Sequence, residues 1–292
     1  MTLRKIFALV LFTIFAATGC SQDTAARQVL DKVKAAYKAL ETYQAQGTIT
    51  LKADSGGRKV NAVITFSILL KKPNQYLISW TQKMPMGMNS LSGAVWNDGT
   101  QPYLYLYMGN AYSKMTNDEM ALGNANGFSV GAAFTVPSLF LPMFQAHTNP
   151  FLRLQHLKME PAEKLGNEEC YVISATSSAI KREVYWISKS RYLILQRSLE
   201  LPEGGVKIPE PTDEQLDAAI SRMGPNVTAE TRKARRDMLV QSLKRTAALH
   251  LSGEFTTEVH AGITSPALDK KDFVFTPPAG AVLKESLGGL IK

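Results

Sequence analysis

The sequence is poor in cysteine and has no apolar run long enough to cross a membrane. Cys20 and Cys170 are its only cysteines among 292 residues, which is too few for a disulfide framework or a four-ligand structural zinc site of the Cys/His type. Cys170 precedes Tyr171, Val172 and Ile173, and we expect a buried small apolar residue there, with a reactive thiol as the alternative.

Motifs of catalysis and cofactor binding are also missing. The four histidines (His147, His156, His250 and His260) have no metal-ligand spacing. The sequence contains no Gly-x-Ser-x-Gly turn and no glycine loop that could hold a phosphate. We therefore expect no enzyme activity, no cofactor and no metal. The alternative is an envelope hydrolase whose site is assembled from distant residues.

The amino terminus predicts export. Arg4 and Lys5 precede the apolar run 6–17, which is too short to span a hydrocarbon core of about 30 Å and is typical of a secretory signal. The following Ala17-Thr18-Gly19-Cys20 resembles a bacterial lipobox, which implies a signal peptide at residues 1–19 and lipidation of Cys20. An ordinary signal peptide with an incidental cysteine is the alternative. By the same resemblance, Ser21 indicates the outer membrane, and export excludes nucleic acid as a partner.

Composition and periodicity indicate one α+β domain. Hydrophobic residues make up 45% of the chain, charged residues 20%, and the net charge is +8. A helical stripe from Ala26 to Tyr43 precedes segments that alternate with the period of strands. Thr116-Asn117-Asp118-Glu119 predicts a helix start, and we expect strands near Leu152–Leu154, through Phe255, Thr257 and Val259, and at Phe273–Phe275. The segment 202–250 predicts a helical insertion between two strands of one sheet.

An ordered series of short motifs resembles the LolA/LolB family of lipoprotein carriers and receptors. The motifs are Thr42-Tyr43-Gln44-Ala45-Gln46-Gly47, Lys72-Pro73-Asn74-Gln75-Tyr76, Trp96-Asn97-Asp98-Gly99, Gly166–Val172, Tyr185–Ser188 and Phe273–Gly280. The resemblance implies an unclosed, strongly curved antiparallel β half-barrel with an N-terminal helix and a helical lid. It also implies one domain over residues 20–292 and an acyl chain of a lipid or lipoprotein as ligand. The insertion departs from the family pattern.

Two sets of apolar residues are candidates for an acyl-chain cavity, and a filled core is the alternative. The predicted cavity wall consists of Ile49, Leu51, Ile64, Phe66, Ile68, Ile78 and Trp80. The predicted lid consists of Phe128, Phe134, Leu139, Phe140, Met143 and Phe144. Pro137 and Pro142 predict that the lid is broken into short helices.

Two further segments are candidates for membrane contact. Met84, Met86 and Met88 form an apolar loop between two predicted strands, which implies by family resemblance a loop that touches membrane or ligand; the alternative is a loop folded into the core. Arg232, Arg235 and Arg236 belong to a basic predicted helix that fits anionic head groups; the alternative is a solvated helix packed on the sheet.

Together these observations predict a monomeric lipoprotein that is anchored in the outer membrane and faces the periplasm. Its membrane contact would be the lipid on Cys20, and it would bind acyl chains without covalent chemistry. The alternative is an envelope sensor or assembly adaptor that uses the same fold to bind a protein partner without transport.

Overall fold

A computed structural model describes most of the chain. The described ranges are 18–55, 58–83, 91–145, 148–202, 212–222 and 251–287, with 232–233, 236–237 and 240. The first 17 residues of the predicted signal peptide lie outside them. So do Met84, Met86, Met88, Arg235 and His147.

One sheet of twelve strands organises the described residues. Its strands are β1 Thr42–Ser55, β2 Arg58–Lys71, β3 Gln75–Lys83, β4 Leu91–Asp98, β5 Tyr103–Leu106, β6 Ala111–Lys114, β7 Gln155–Leu165, β8 Glu168–Thr176, β9 Arg182–Ser188, β10 Ile194–Glu200, β11 Leu251–Thr264 and β12 Val282–Lys284. Their order is β12-β6-β5-β4-β3-β2-β1-β11-β10-β9-β8-β7. Neighbours are antiparallel except β12, which is parallel to β6. Because β12 and β7 are separate edges, the sheet is unclosed, and the predicted α+β half-barrel class is confirmed.

Five helices with complete bounds accompany the sheet in the described residues, and residues 232–233, 236–237 and 240 are also helical. The five are α1 Thr18–Ala39, α2 Asp118–Ser129, α3 Pro137–Phe140, α4 Pro142–Gln145 and α5 Asp213–Arg222. The apolar stripe of α1 is buried as predicted, but α1 begins at Thr18, before the Asp23 or Thr24 cap that the sequence suggested. It also ends at Ala39, so Tyr43 of the predicted helical stripe belongs to β1 instead. The Asn117 side chain caps α2 by accepting the Met120 N–H at 2.8 Å.

Two strand predictions are wrong. Leu152–Leu154 forms turns, and the strand begins at Gln155. Phe273 ends a 3₁₀ turn that begins at Lys270, Val274 and Phe275 follow without joining the sheet, and β12 begins only at Val282. Phe275 is held by side-chain packing instead, because its ring lies 5.1 Å from the Trp96 ring and 5.6 Å from the Tyr105 ring on the outer face.

The central part of the sheet joins distant parts of the chain. β1 pairs with β2 on one side and with β11 on the other. β10 and β11 are also neighbours, and Glu200 pairs with Phe255. Residues 202–250, which include α5, therefore connect two adjacent antiparallel strands.

Candidate functional site

One face of β1, β2 and β3 carries the predicted cavity wall. Ile49, Ile64, Ile68 and Ile78 are fully buried, Phe66 and Trp80 are nearly so, and Leu51 is partly buried. The strand registers place these residues on one face, and all seven belong to a single apolar cluster with α1 and the lid. The structure therefore brings the predicted wall together.

The two largest wall side chains lie flat on neighbouring strands. The Phe66 ring covers Gly47, where a Cβ atom would be 2.2 Å from Phe66 Cζ and 2.1 Å from the Val259 carbonyl oxygen. The Trp80 ring covers Gly93 in the same way, 2.3 Å from the position of an added Cβ. Both rings therefore cover the sheet instead of projecting away from it.

The predicted lid packs onto this wall. Leu139, Phe140 and Phe144 are buried and Phe128 and Met143 are partly buried in the same cluster, whereas Phe134 is partly exposed outside it. The Phe140 and Tyr43 rings are 6.4 Å apart, so α3 reaches the start of β1. Wall and lid are thus in contact in this structure. A role for them as an acyl-chain cavity stays a prediction.

A polar cluster that the sequence did not reveal lies beside the apolar wall. It consists of Glu183 and Tyr185 on β9, Arg197 on β10, Glu258 and His260 on β11, and Thr135 from the α2–α3 connection. Ile49, Glu258, Arg197 and Tyr185 occupy successive register positions across four strands. Because opposed residues share a face, the polar cluster continues the face of the wall.

Arg197 is the centre of this polar cluster. Its side chain is only 12% exposed and its Nη2 lies 2.7 Å from Glu183 Oε1. Its Nε also donates to that carboxylate, at 2.7 Å, and its Nη1 donates to Thr135 Oγ1 at 3.1 Å. Tyr185 donates to the same Glu183 oxygen. A buried carboxylate with this many donors is well compensated for its loss of water.

Thr135 connects the lid to the sheet. Its hydroxyl donates to Glu258 Oε2 at 2.6 Å, and all atoms of this contact are buried. Burial raises the pKa of Glu258, but the hydrogen bond from His260, the nearby Arg197 and Thr135 outweigh it, so the net pKa lies below its ordinary value. Glu258 is therefore ionised at neutral pH and holds Thr135 by a charge-assisted hydrogen bond.

His260 has one satisfied and one unsatisfied ring nitrogen. Its Nε2 lies 2.9 Å from Glu258 Oε1, and its ring contacts Phe66 edge-on at 5.3 Å between centroids. Its Nδ1 is buried and has no hydrogen-bond partner within the described part of the chain. Among the described residues, Nδ1 is therefore a hydrogen-bonding atom without a partner, located where the apolar wall meets the polar cluster.

The alternation of β11 explains why the sequence missed this cluster. In the sequence, the more apolar of the two alternating sets of β11 residues is Phe255, Thr257 and Val259, which suggested that this set faces the core. In the structure Glu258 and His260 are buried, whereas Thr257 and Val259 are partly exposed. A buried Glu and a buried His on one strand, with Arg197 on its neighbour, is a pattern that only the register makes visible.

The described residues of the basic insertion are partly neutralised. Arg232 lies 3.8 Å from Asp217, and Arg236 pairs with Asp213, so both cations contact acidic residues of α5. Exposed pairs of this kind contribute little stability. The strand ends at Lys83 and Glu200 lie at the same end of the sheet, where β1 finishes and β11 begins.

The remaining sequence predictions concern the two cysteines, a membrane-spanning helix and a metal site. Cys20 lies in the first turn of α1. Cys170 is a buried free thiol on β8, and burial is the largest cause of its raised pKa, as expected for an apolar role. Within the described ranges, no helix is long and apolar enough for a membrane span. No group of three His, Cys, Asp or Glu residues in those ranges is arranged to hold a metal ion.

Comparison with known proteins gives structural likeness only. No family model and no curated protein matches the chain. Similar solved structures include LprF from Mycobacterium bovis (8% identity over 85% of this chain and 96% of that chain, TM-score 0.40). A LolA superfamily protein from Nitrosomonas europaea is 12% identical over 86% of this chain and 97% of that chain, with TM-score 0.29. An outer membrane lipoprotein-sorting protein domain from Vibrio parahaemolyticus is 10% identical over 84% and 94%, with TM-score 0.32.

The family that the sequence motifs resemble is therefore represented among the solved structures similar to this chain. At these identities and TM-scores the likeness says nothing about what this chain binds. Its function has to be inferred from its own residues.

Proposed function

We propose that this protein binds an acyl chain of a lipid or lipoprotein, non-covalently, between the apolar sheet face and the lid. The observation that supports this most is the single apolar cluster of wall and lid, in which four lid residues (Leu139, Phe140, Met143 and Phe144) lie on two four-residue helices, α3 and α4. Helices this short have little stability of their own. They can be displaced at a smaller cost than a long helix packed on the same face.

The energetic balance requires the lid to close on the ligand. Burying ten methylene groups stabilises a complex by about 8 kcal/mol, whereas association costs ~4–15 kcal/mol. An acyl chain covered only by the sheet would therefore bind weakly. A ligand that replaces the lid's contacts with the wall and is then covered by the lid would be buried on both sides.

The polar cluster makes the proposed site apolar on one side and polar on the other. Hydrocarbon would lie against Ile64, Ile78 and Trp80, and the ester, amide or hydroxyl group of the ligand would lie toward β11. His260 Nδ1 is buried there without a partner among the described residues, and with Nε2–H donating to Glu258 a ligand hydroxyl or amide N–H is able to donate to it. The Thr135–Glu258 bond would hold the lid closed until ligand enters.

A fluorescent fatty acid tests the proposal. We would add 11-(dansylamino)undecanoic acid to the chain from residue 21 onward and measure its emission and stoichiometry. We expect one molecule per protein and a blue-shifted emission. Thr135→Val, which keeps the shape of the side chain but loses the hydroxyl, should speed association severalfold because the lid opens more often.

Thr257→Val is the matched control, since Thr257 is next to Glu258 on the opposite face of β11. It should leave the association rate unchanged. Absence of a blue shift, or binding whose rate ignores both substitutions, would contradict acyl-chain binding under the lid.

The location is part of the same proposal. We propose that the mature protein begins at an acylated Cys20 and is anchored in the outer membrane, facing the periplasm. Intact-mass analysis of protein extracted from membranes should give a chain starting at Cys20 that carries acyl groups. A chain with an unmodified amino terminus would contradict the anchor and leave the test of the cavity unaffected.

A further inference from the structure

The polar cluster beside the apolar wall has more carboxylates than cations. It contains two buried carboxylates, Glu183 and Glu258, and one buried guanidinium, Arg197. The guanidinium is already occupied: Nε and Nη2 lie 2.7 Å from Glu183, Nη1 donates to Thr135, and the Tyr185 ring lies 5.7 Å away. A ligand carboxylate would be a third carboxylate beside this guanidinium, away from water. Because like charges repel strongly where water is excluded, the cluster disfavours an anionic ligand.

His260 adds a requirement for a hydrogen-bond donor. Glu258 is ionised and its Oε1 lies 2.9 Å from Nε2 of His260, so the ring proton is on Nε2 and Nδ1 presents a lone pair. The His260 side chain is fully buried, and Nδ1 has no partner within the described ranges. A buried acceptor without a donor costs free energy, and a donor on the ligand removes that cost. A ligand group that only accepts, such as an ester, would leave Nδ1 unsatisfied.

The place of His260 on the sheet gives the ligand a direction. One register row crosses β11, β1, β2 and β3 and consists of His260, Gly47, Phe66 and Trp80. The Phe66 ring covers Gly47 and meets the His260 ring, so the row changes from polar to apolar directly beside His260. Three strand spacings separate His260 from Trp80, which is about 14 Å. A dodecyl chain with its polar end at Nδ1 would therefore lie on apolar side chains.

We propose that this site selects an uncharged ligand whose polar end donates a hydrogen bond, such as a fatty amide or a fatty alcohol, over a fatty acid or its methyl ester. The donor would satisfy His260 Nδ1, and the lack of charge would avoid repulsion from the buried carboxylates. This inference rests on the proposed function and names the class of ligand for the same site. The fluorescent fatty acid, which is a carboxylate, is then a weaker ligand that stronger ones displace.

Displacement of 11-(dansylamino)undecanoic acid from the full chain by dodecyl compounds tests this selection. N-methyldodecanamide and N,N-dimethyldodecanamide differ in one N–H, and we expect the first to displace the probe at about tenfold lower concentration. Methyl dodecanoate, which also has no donor, should resemble the dimethylamide. Dodecanoate should be about tenfold weaker than N-methyldodecanamide because of its charge. These comparisons need no substitution and do not depend on the folding of a variant.

Substitution of His260 assigns the donor preference to Nδ1. His260→Phe keeps an aromatic ring beside Phe66 but has no ring nitrogen, so it should make the two amides equal. His260→Gln offers an amide N–H to Glu258 and an oxygen acceptor to the ligand, so it should restore part of the preference for N-methyldodecanamide. A preference that His260→Phe leaves unchanged would show that another group accepts the ligand N–H.

Substitution of Glu258 tests the charge. Glu258→Gln removes one buried carboxylate and should strengthen dodecanoate relative to N-methyldodecanamide. The matched control is Glu214→Gln on the exposed side of α5, which should behave like the unmodified chain. Equal displacement by the two amides, or strongest displacement by dodecanoate, would overturn the selection of a neutral donor and leave acyl-chain binding intact. A fluorescent fatty acid that does not bind at all would contradict the proposed function and this inference together.

Discussion

Gly47 and Gly93 show how single residues shape the apolar face. Each lies under an aromatic ring from the adjacent strand, and any larger side chain would collide with that ring. The rings of Phe66 and Trp80 thereby occupy the space that a Cβ would otherwise fill. These positions need glycine for close approach rather than for an unusual backbone angle.

Substituting Gly47 should destabilise the protein strongly. We expect Gly47→Ala to lower the free energy of unfolding by about 1–3 kcal/mol, because the new methyl group meets both a carbonyl oxygen and the Phe66 ring. Urea unfolding followed by tryptophan fluorescence measures the change. The control is Gly123→Ala in α2, where nothing lies within 4 Å of the added Cβ. That change should be neutral or stabilising by up to about 1 kcal/mol, and an equal loss at both glycines would refute the contact argument.

Glu258 makes stability depend on pH in the acid range. Its folded pKa is below the ordinary value of 4.5, so its stabilising contribution is complete above pH about 4.5 and is lost as pH falls through the folded pKa. We therefore expect the difference in unfolding free energy between the unmodified chain and Glu258→Gln to shrink as pH decreases from 7 to 3.

Glu214→Gln supplies the comparison, because Glu214 is exposed on α5 and is outside the polar cluster. Its difference from the unmodified chain should be small at every pH. A Glu258→Gln difference that stays constant from pH 7 to 3 would contradict the role assigned to the ionised carboxylate.

Among the elements, α1 is fixed at its carboxyl end by one lysine. Lys72, in the turn between β2 and β3, donates to the carbonyl oxygens of Lys38 at 2.5 Å and of Leu40. Burial is the main cause of its lowered pKa. The same Nζ lies 5.1 Å from the centroid of the Phe140 ring, so it joins α1, the sheet and the lid.

Removing this cation should loosen α1 and the lid together. We expect Lys72→Met to cost about 1–2 kcal/mol of stability and to increase hydrogen exchange in the last turn of α1 and in α3. Lys38→Met removes a cation from the same turn, but Lys38 is exposed, so it should change exchange much less. Identical exchange patterns in the two variants would show that Lys72 acts through the net charge of this region and not through its hydrogen bonds to the end of α1.

Elements were predictable from the sequence where periodicity and packing agree. The stripe of α1, the alternation of β1 to β3 and the prolines of the lid each indicate one structure, and these predictions are confirmed. The polar cluster was not predictable, because Thr135, Arg197 and Glu258 are far apart in sequence and meet only through the strand register. Phe273–Phe275 has the composition of a strand, but it does not join the sheet, and the Phe275 ring packs on the outer face instead.

For the whole molecule, the insertion between β10 and β11 is separable in principle. Glu200 and Phe255 are directly paired, so a short hairpin can replace the residues between them without changing the sheet. We expect replacement of residues 203–250 by a four-residue turn to leave the midpoint of thermal unfolding within about 5 °C. Calorimetry measures it, and a loss of cooperative unfolding would show that the insertion belongs to the core.

The central position of β1 also determines when this protein can fold. Thr42 at the start of β1 bonds to Ser265, 223 residues further along the chain. A nascent chain that emerges amino end first therefore exposes the open edge of β1 until nearly all of it has been synthesised. Such late closure favours slow folding and leaves the β1 edge open to aggregation during biogenesis.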